Sequence, residues 1–175
     1  MKKPPDFKLL LDPDRILRET KEVMDLEDLS VTLRRTKRKG TGVFATQPIW
    51  KGETICYYKL KVFHIKNYHP PTGLIYSISI CRKDGSDINN LIGDIYEGSF
   101  PLPINNIPFW GPLCNEPSNG EKTNCDLKMN LKELYKNRKK MKVGDSIIYD
   151  LVATRYIQEG EEIMWYYGPG YQRDY

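Results

Sequence analysis

Along most of this chain apolar and polar residues alternate, and only near the start do they recur at helical spacing. Ile16, Leu17, Thr20, Val23 and Met24 share one face of a 3.6-residue period. Asp12, Pro13 and Asp14 supply the start signal: a capping carboxylate, a first-turn proline and an acid that complements the helix dipole. From Val31 the period falls to two, with Val31 and Leu33 facing one way. The pattern predicts a first strand interrupted by Gly40-Thr41-Gly42 and resumed by Val43-Phe44-Ala45, up to Pro48 and a turn at Lys51-Gly52. Further strands are expected over 55–58, 60–63 and 75–80, all rich in β-branched and aromatic residues. Ile88, Leu91, Ile92 and Ile95 predict a short helix. Leu127, Met129 and Leu131 alternate and face residues 147–153 as a hairpin. A last turn at Glu159-Gly160 then leads into a strand from Ile163 to Tyr167.

Between Ser99 and Asn124, Pro101, Pro103, Pro108, Pro112 and Pro117 exclude regular structure. An ordered loop of that length inside a compact domain usually carries function. The 175 residues suffice for one core, and 39% hydrophobic with 29% charged residues describes a globular chain. No apolar run reaches a bilayer span, and the start lacks the apolar stretch of a secretory signal. A nuclear or cytoplasmic protein is therefore expected, not a secreted one, with no membrane partner. Cys56, Cys81, Cys114 and Cys125 stand singly, which gives neither zinc spacing nor a disulfide framework, so no metal site is expected. Positive charge gathers in residues 34–39 and 136–142 but without the interleaved aromatics of single-strand binders. Both runs read as a solvated strand edge and a hairpin tip, with no direct nucleic-acid requirement.

Gly40-x-Gly42 alone permits a close backbone approach, which serves a ligand or a β-bulge equally. No helix follows it, so it is not a dinucleotide fingerprint. Its order with two distant stretches carries the chemistry. Lys39 to Ala45 is followed by Ile49-Trp50-Lys51-Gly52-Glu53. Leu113-Cys114-Asn115-Glu116-Pro117 is followed by Asn124-Cys125. Leu151 to Gly168 contains a Gly160-Glu161-Glu162 turn and ends in Tyr167-Gly168. In this order the three stretches resemble the SET-domain family of protein-lysine methyltransferases, over residues 31 to 171 apart from the loop around Ser99 to Phe109. The chain departs from that family at Glu116 and Pro117, where His and Ser are usual, and at Thr123, where Pro usually precedes the second asparagine.

The resemblance implies a mostly β fold of the β-clip or SET type: several small sheets of short strands, a C-terminal pseudoknot and an N-terminal helix. Residues 1–30 would form a helical extension and 31–175 the catalytic domain. The implied activity moves a methyl group from S-adenosylmethionine to a lysine of a protein substrate with a basic tail, a histone among the candidates, as in a nuclear chromatin regulator. The alternative is a catalytically silent SET module that binds a protein partner. Lys39, Gly40, Thr41 and Gly42 would cradle the cofactor, and Asn115 and Glu116 would hold its amino-acid end. Tyr167 would lead catalysis beside the cofactor, Tyr76 would line the lysine channel, and Tyr171 would add an aromatic wall. Phenols suit this task, because their faces attract cations and their hydroxyls bond an amine without a full negative charge. Glu161 and Glu162 read as turn-shaping residues. An edge after Gly42 or near Tyr76 would let a substrate tail pair as a strand. No cysteine-rich segment follows Tyr167, so residues 171–175, the early helix or another subunit must close the channel, and a homodimer is reasonable.

Overall fold

The computed structural model describes residues 6–69, 75–81, 87–130, 141–169 and 171. Asp12 caps helix α2 (Pro13–Lys21), its side chain accepting from the Asp14 N–H, and Ile16 and Thr20 are buried. A single-turn helix α1 (Phe7–Leu10), capped in the same way by Asp6, precedes it and is too short to leave a periodic signal. Because α2 stops at Lys21, Val23 is exposed while Met24 packs on the core from the turn that follows.

Strands β1 (Val31–Arg35) and β2 (Thr41–Ala45) pair antiparallel, with Arg35 opposite Thr41. The glycines therefore do not interrupt one strand; they help to fold two strands back on each other. Gly40 adopts φ +72°, a conformation that side chains disfavour, and its carbonyl accepts from the Thr36 N–H at 2.7 Å. The first basic run is the tip of this hairpin.

A second sheet has the order β4-β5-β3-β7-β6. Its strands are β3 (Thr54–His64), β4 (Ile78–Cys81), β5 (Asp87–Asp94), β6 (Cys125–Met129) and β7 (Ser146–Ala153). β3 is one long strand where two were expected, because burial alternates through Tyr58, Leu60 and Val62 without a break at Lys59. The helix expected over 88–95 is instead strand β5, with Leu91 opposite His64 and Gly93 opposite Val62. Its apolar spacing fits either period, and pairing with β3 decides the outcome. The strand expected from Ile75 begins at Ile78, since Ile75 and Tyr76 form a turn. β6 and β7 make the expected antiparallel pair, Leu127 opposite Leu151. Leu131 and residues 136–140 of the second basic run lie outside the described residues.

Two apolar clusters form the core. One joins Ile16 and Leu29 to Val31, Val43, Ile49, Leu151 and Ile163, and the other holds Tyr58, Leu60, Val62, Ile95 and Ile147. Leu11, Leu127 and Trp165 pack against both.

Residues 163–167 do not form a ladder strand as expected; other backbone holds them on both sides. The Ile163 N–H donates to Val43 O at 2.8 Å, and the Trp165 N–H to Asn115 O at 3.1 Å. Asn124, fully buried, clamps the same segment: its Nδ2 donates to Glu162 O at 2.7 Å and its Oδ1 accepts from the Met164 N–H at 2.9 Å. The loop from Asn115 to Asn124 thus holds the terminal segment at both of its ends. Mostly antiparallel strands with few helices give the SET-like β fold that the motifs implied.

Candidate active site

Where the hairpin, the proline-rich loop and the terminal segment meet, they enclose a cavity of about 760 Å³. That size suits a cofactor. Lys39, Gly40 and Thr41 line it from the hairpin, Cys114 and Asn115 from the loop, and Trp165, Tyr167 and Tyr171 from the C-terminal side. Tyr76 and Ser77, just before β4, form the opposite wall together with Ile75 and Ile78. Leu11 closes part of the rim, so the N-terminal extension contributes to the site.

The hairpin wall is tied down by charge. Lys39 Nζ lies 2.9 Å from Glu121 Oε2 and 3.0 Å from Glu162 Oε2. Burial works to lower the pKa of this ammonium, but its bonds to the two carboxylates and their charge outweigh that and hold it above its ordinary value. Asn115 joins the same knot, its Nδ2 donating to Thr41 O at 3.1 Å and to Glu162 Oε1 at 2.8 Å.

Gly42 does not line the cavity. A Cβ there would sit 2.7 Å from Glu162 Oε1 and 3.0 Å from Asn115 Nδ2, so the bare glycine makes room for that pair. The Glu116 side chain turns to the terminal segment. It is buried, and its Oε1 accepts from the Tyr167 N–H at 3.0 Å, away from the cavity wall. A carboxylate here thus anchors the tyrosine.

The tyrosines form one aromatic wall. Tyr167 donates its hydroxyl to Cys114 O at 2.7 Å, and its ring meets Trp165 at 5.0 Å and the edge of Tyr171 at 4.8 Å. Tyr58, fully buried on β3, donates to Tyr76 O at 3.0 Å and so fixes the turn that carries Tyr76. Burial, with a smaller push from Tyr171, raises the Tyr76 pKa, and burial raises that of Tyr58 well above its ordinary value. Both phenols therefore stay neutral under ordinary conditions. The Trp165 indole N–H is buried with no hydrogen-bond partner among the described residues.

The structure thus gathers Lys39, Gly40, Thr41, Asn115, Tyr76, Tyr167 and Tyr171 on one cavity, with Gly42 and Glu116 directly behind its wall. Sequence alone underweights Glu162, which is tied to the hairpin and the loop as well as shaping its turn, and Asn124, whose only signal is its place in the second motif. Leu11 and Trp165 give no chemical signal at all.

A family model described as the SET domain matches residues 40–168. Among solved structures, a Plasmodium falciparum protein described as a candidate histone methyltransferase is similar with TM-score 0.51 and 17% identity, over 82% of this chain and 96% of that one. The ATXR5 SET domain, solved in complex with histone H3 dimethylated on an arginine, is similar with TM-score 0.51 and 20% identity, over 91% of this chain and 67% of that one. At such identities the likeness is one of fold. No match is found among curated proteins. The convergence of three separated motifs on one cavity, and the match over most of the chain, establish that this protein belongs to the SET-domain family.

Proposed function

We propose that this protein transfers a methyl group from S-adenosylmethionine to a lysine side chain of a protein substrate, with histone H3 the first substrate to test. The observation that carries this reading is the single cavity bounded by Gly40–Thr41, Asn115 and the tyrosines 76, 167 and 171. Its residues fit the cofactor. Lys39, Thr41 and Asn115 offer backbone and amide groups to an amino-acid end, the buried Trp165 N–H is a donor with no partner among the described residues, and the aromatic wall suits a cationic sulphur.

When bound, that cofactor supplies a methyl group activated on a sulfonium. The chain's own residues align the amine and hold it neutral. Free lysine has a pKa of about 10.4, and a poorly hydrated aromatic channel shifts it toward the neutral form without a strong base. Tyr76 and Tyr167 wall that channel. The Cys114 carbonyl fixes the Tyr167 hydroxyl at the channel, and to that hydroxyl oxygen we assign the role of accepting an N–H of the incoming amine.

Of the two edges expected for a substrate tail, one is open among the described residues. The outer side of β2 is occupied by the terminal segment, through bonds from Ala45 to Glu161 O and from Ile163 to Val43 O, so the strand after Gly42 cannot serve. β4, at the margin of the five-stranded sheet and beside Tyr76, remains.

The test incubates the protein with labelled S-adenosylmethionine, a histone panel and cell extract, and repeats the assay with Tyr167→Phe. Label entering a protein and falling sharply in the variant supports the proposal. Cofactor binding with no transfer to any protein refutes it in favour of a silent interaction module.

A further inference from the structure

Asp94, the last residue of β5, is completely buried and has no cation partner among the described residues. A carboxylate in that setting is costly unless hydrogen bonds hold it. Its Oδ1 accepts from the Ile95 N–H and its Oδ2 from the Tyr68 hydroxyl, both at 2.8 Å. The buried Ser77 hydroxyl has no partner at ordinary hydrogen-bond distance among the described residues, yet it stands near enough to the carboxylate to help hold its charge. Burial pushes the carboxyl above its usual range, and these three groups pull the other way.

The partners of Asp94 belong to separate parts of the cavity wall. Ser77 lines the cavity next to Tyr76 and Ile75, in the turn that precedes β4 and lies outside its ladder. Tyr68 follows a helical turn, Ile65–Asn67, whose first residue lines the cavity as well. The Tyr68 ring stacks on Phe63 of β3 with centroids 3.9 Å apart, so this partner is anchored to the sheet. With no ladder to hold it, the Tyr76 turn depends on side chains. Tyr58 takes its carbonyl at 3.0 Å, and Asp94 stands behind its Ser77.

We propose that Asp94 is a positioning residue: through Ser77 and Tyr68 it locks the Tyr76 turn and the Ile65 segment together as the wall that receives the lysine side chain of the substrate. The inference rests on the methyl-transfer reading above and deepens it. Capture of the substrate, and not of the cofactor, comes to depend on a residue that does not itself line the cavity. The two channel tyrosines are then supported alike, since the buried Glu116 carboxylate takes the N–H of Tyr167 on the other wall.

The test compares the full chain with Asp94→Ala and Asp94→Asn, with thermal unfolding as a check on folding. The methyl acceptor is the protein most strongly labelled by the wild type in the assay above, and S-adenosylhomocysteine is titrated by calorimetry. Asp94→Ala should raise KM for the acceptor about tenfold or more, since a misplaced wall misaligns the amine. Affinity for S-adenosylhomocysteine should stay within about twofold. Asn keeps an acceptor, and its amide can donate to a hydroxyl oxygen, so Asp94→Asn should return KM to within about threefold of wild type. Fluorotyrosine placed at Tyr76 gives a readout that needs no turnover: its fluorine NMR line should broaden or shift in Asp94→Ala and recover in Asp94→Asn, while a fluorotyrosine at Tyr167 stays unmoved. Tyr68→Phe removes one bond and keeps the carboxylate, and should show the same pattern more weakly if Asp94→Ala does not fold. Lower stability with KM and the Tyr76 line both unchanged would make Asp94 a structural residue only and overturn the proposal. Equal weakening of acceptor and S-adenosylhomocysteine would overturn it too, leaving the transfer reading intact. A wild type that labels no protein would overturn both.

Discussion

β3 and β7 pair from Thr54 opposite Val152 to Lys61 opposite Ser146, through a ladder that shares its load among many equivalent bonds. The terminal segment is held differently. Its backbone meets β2, Asn115 and Asn124 through isolated bridges and side-chain bonds, each between residues far apart in sequence. A ladder tolerates the loss of one contact because its neighbours keep the register. The crossing has no such redundancy, and it is also where the cavity residues sit. Damage to the sheet should therefore be read out as stability, and damage to the crossing as binding and catalysis.

The largest effect expected is in the sheet. Leu60 is fully buried and packs over Gly93, so Leu60→Ala should cost about 2–5 kcal/mol in chemical denaturation. Calorimetry on the folded protein should nonetheless return a cofactor affinity within about twofold of wild type, since Leu60 is not among the cavity-lining residues. Loss of cofactor binding with retained fold would erase the distinction between the two regions.

Tyr167→Phe should show the converse. Removing the hydroxyl that Cys114 O holds at 2.7 Å should slow transfer about a hundredfold, roughly 2.7 kcal/mol of barrier, while thermal stability stays close to wild type. Asn124→Ala should fall between the two. It strands the Met164 N–H and the Glu162 carbonyl in a buried setting, so about 1–3 kcal/mol of stability should be lost together with cofactor affinity. Affinity that survives this substitution would show that the clamp does not shape the cavity.

The smallest effect concerns pH. The Tyr76 pKa stands above 10.0 because of burial, so the transfer rate should climb as the substrate amine loses its proton and show no downturn from this phenol below pH 10. Lys39 has a folded pKa above the ordinary 10.5, so its pairing stabilises the fold fully below that value. The contribution is lost only as pH rises through the raised pKa. Unfolding measured in alkali should therefore weaken later in wild type than in Glu162→Gln.

What the sequence conveys divides along the same line. Strand alternation at Val31, Leu33 and residues 147–153, and the Asp12-Pro13 helix start, are local signals and the structure follows them. The strand β5, expected as a helix, has apolar residues whose spacing suits both periods, and only its partner β3 resolves the choice. The hairpin turn at Gly40 is hidden for a related reason: a glycine pair marks a break in a strand and a reversal between two strands equally well. At the site, residue types in a motif order point to residues that the structure gathers around one cavity, but not to which face each side chain presents. Glu116 and Gly42 sit behind the wall and Glu162 beside them, because the crossing of distant segments decides which groups turn toward the cavity.

The central claim, that hairpin, loop and terminal segment together form a cofactor site, is tested most directly by a crystal structure of the protein with S-adenosylhomocysteine. The account predicts the ligand in the cavity between Thr41, Asn115 and Tyr167, its sulphur facing the channel walled by Tyr76. A ligand bound elsewhere on the protein, with this cavity left to solvent, would contradict it.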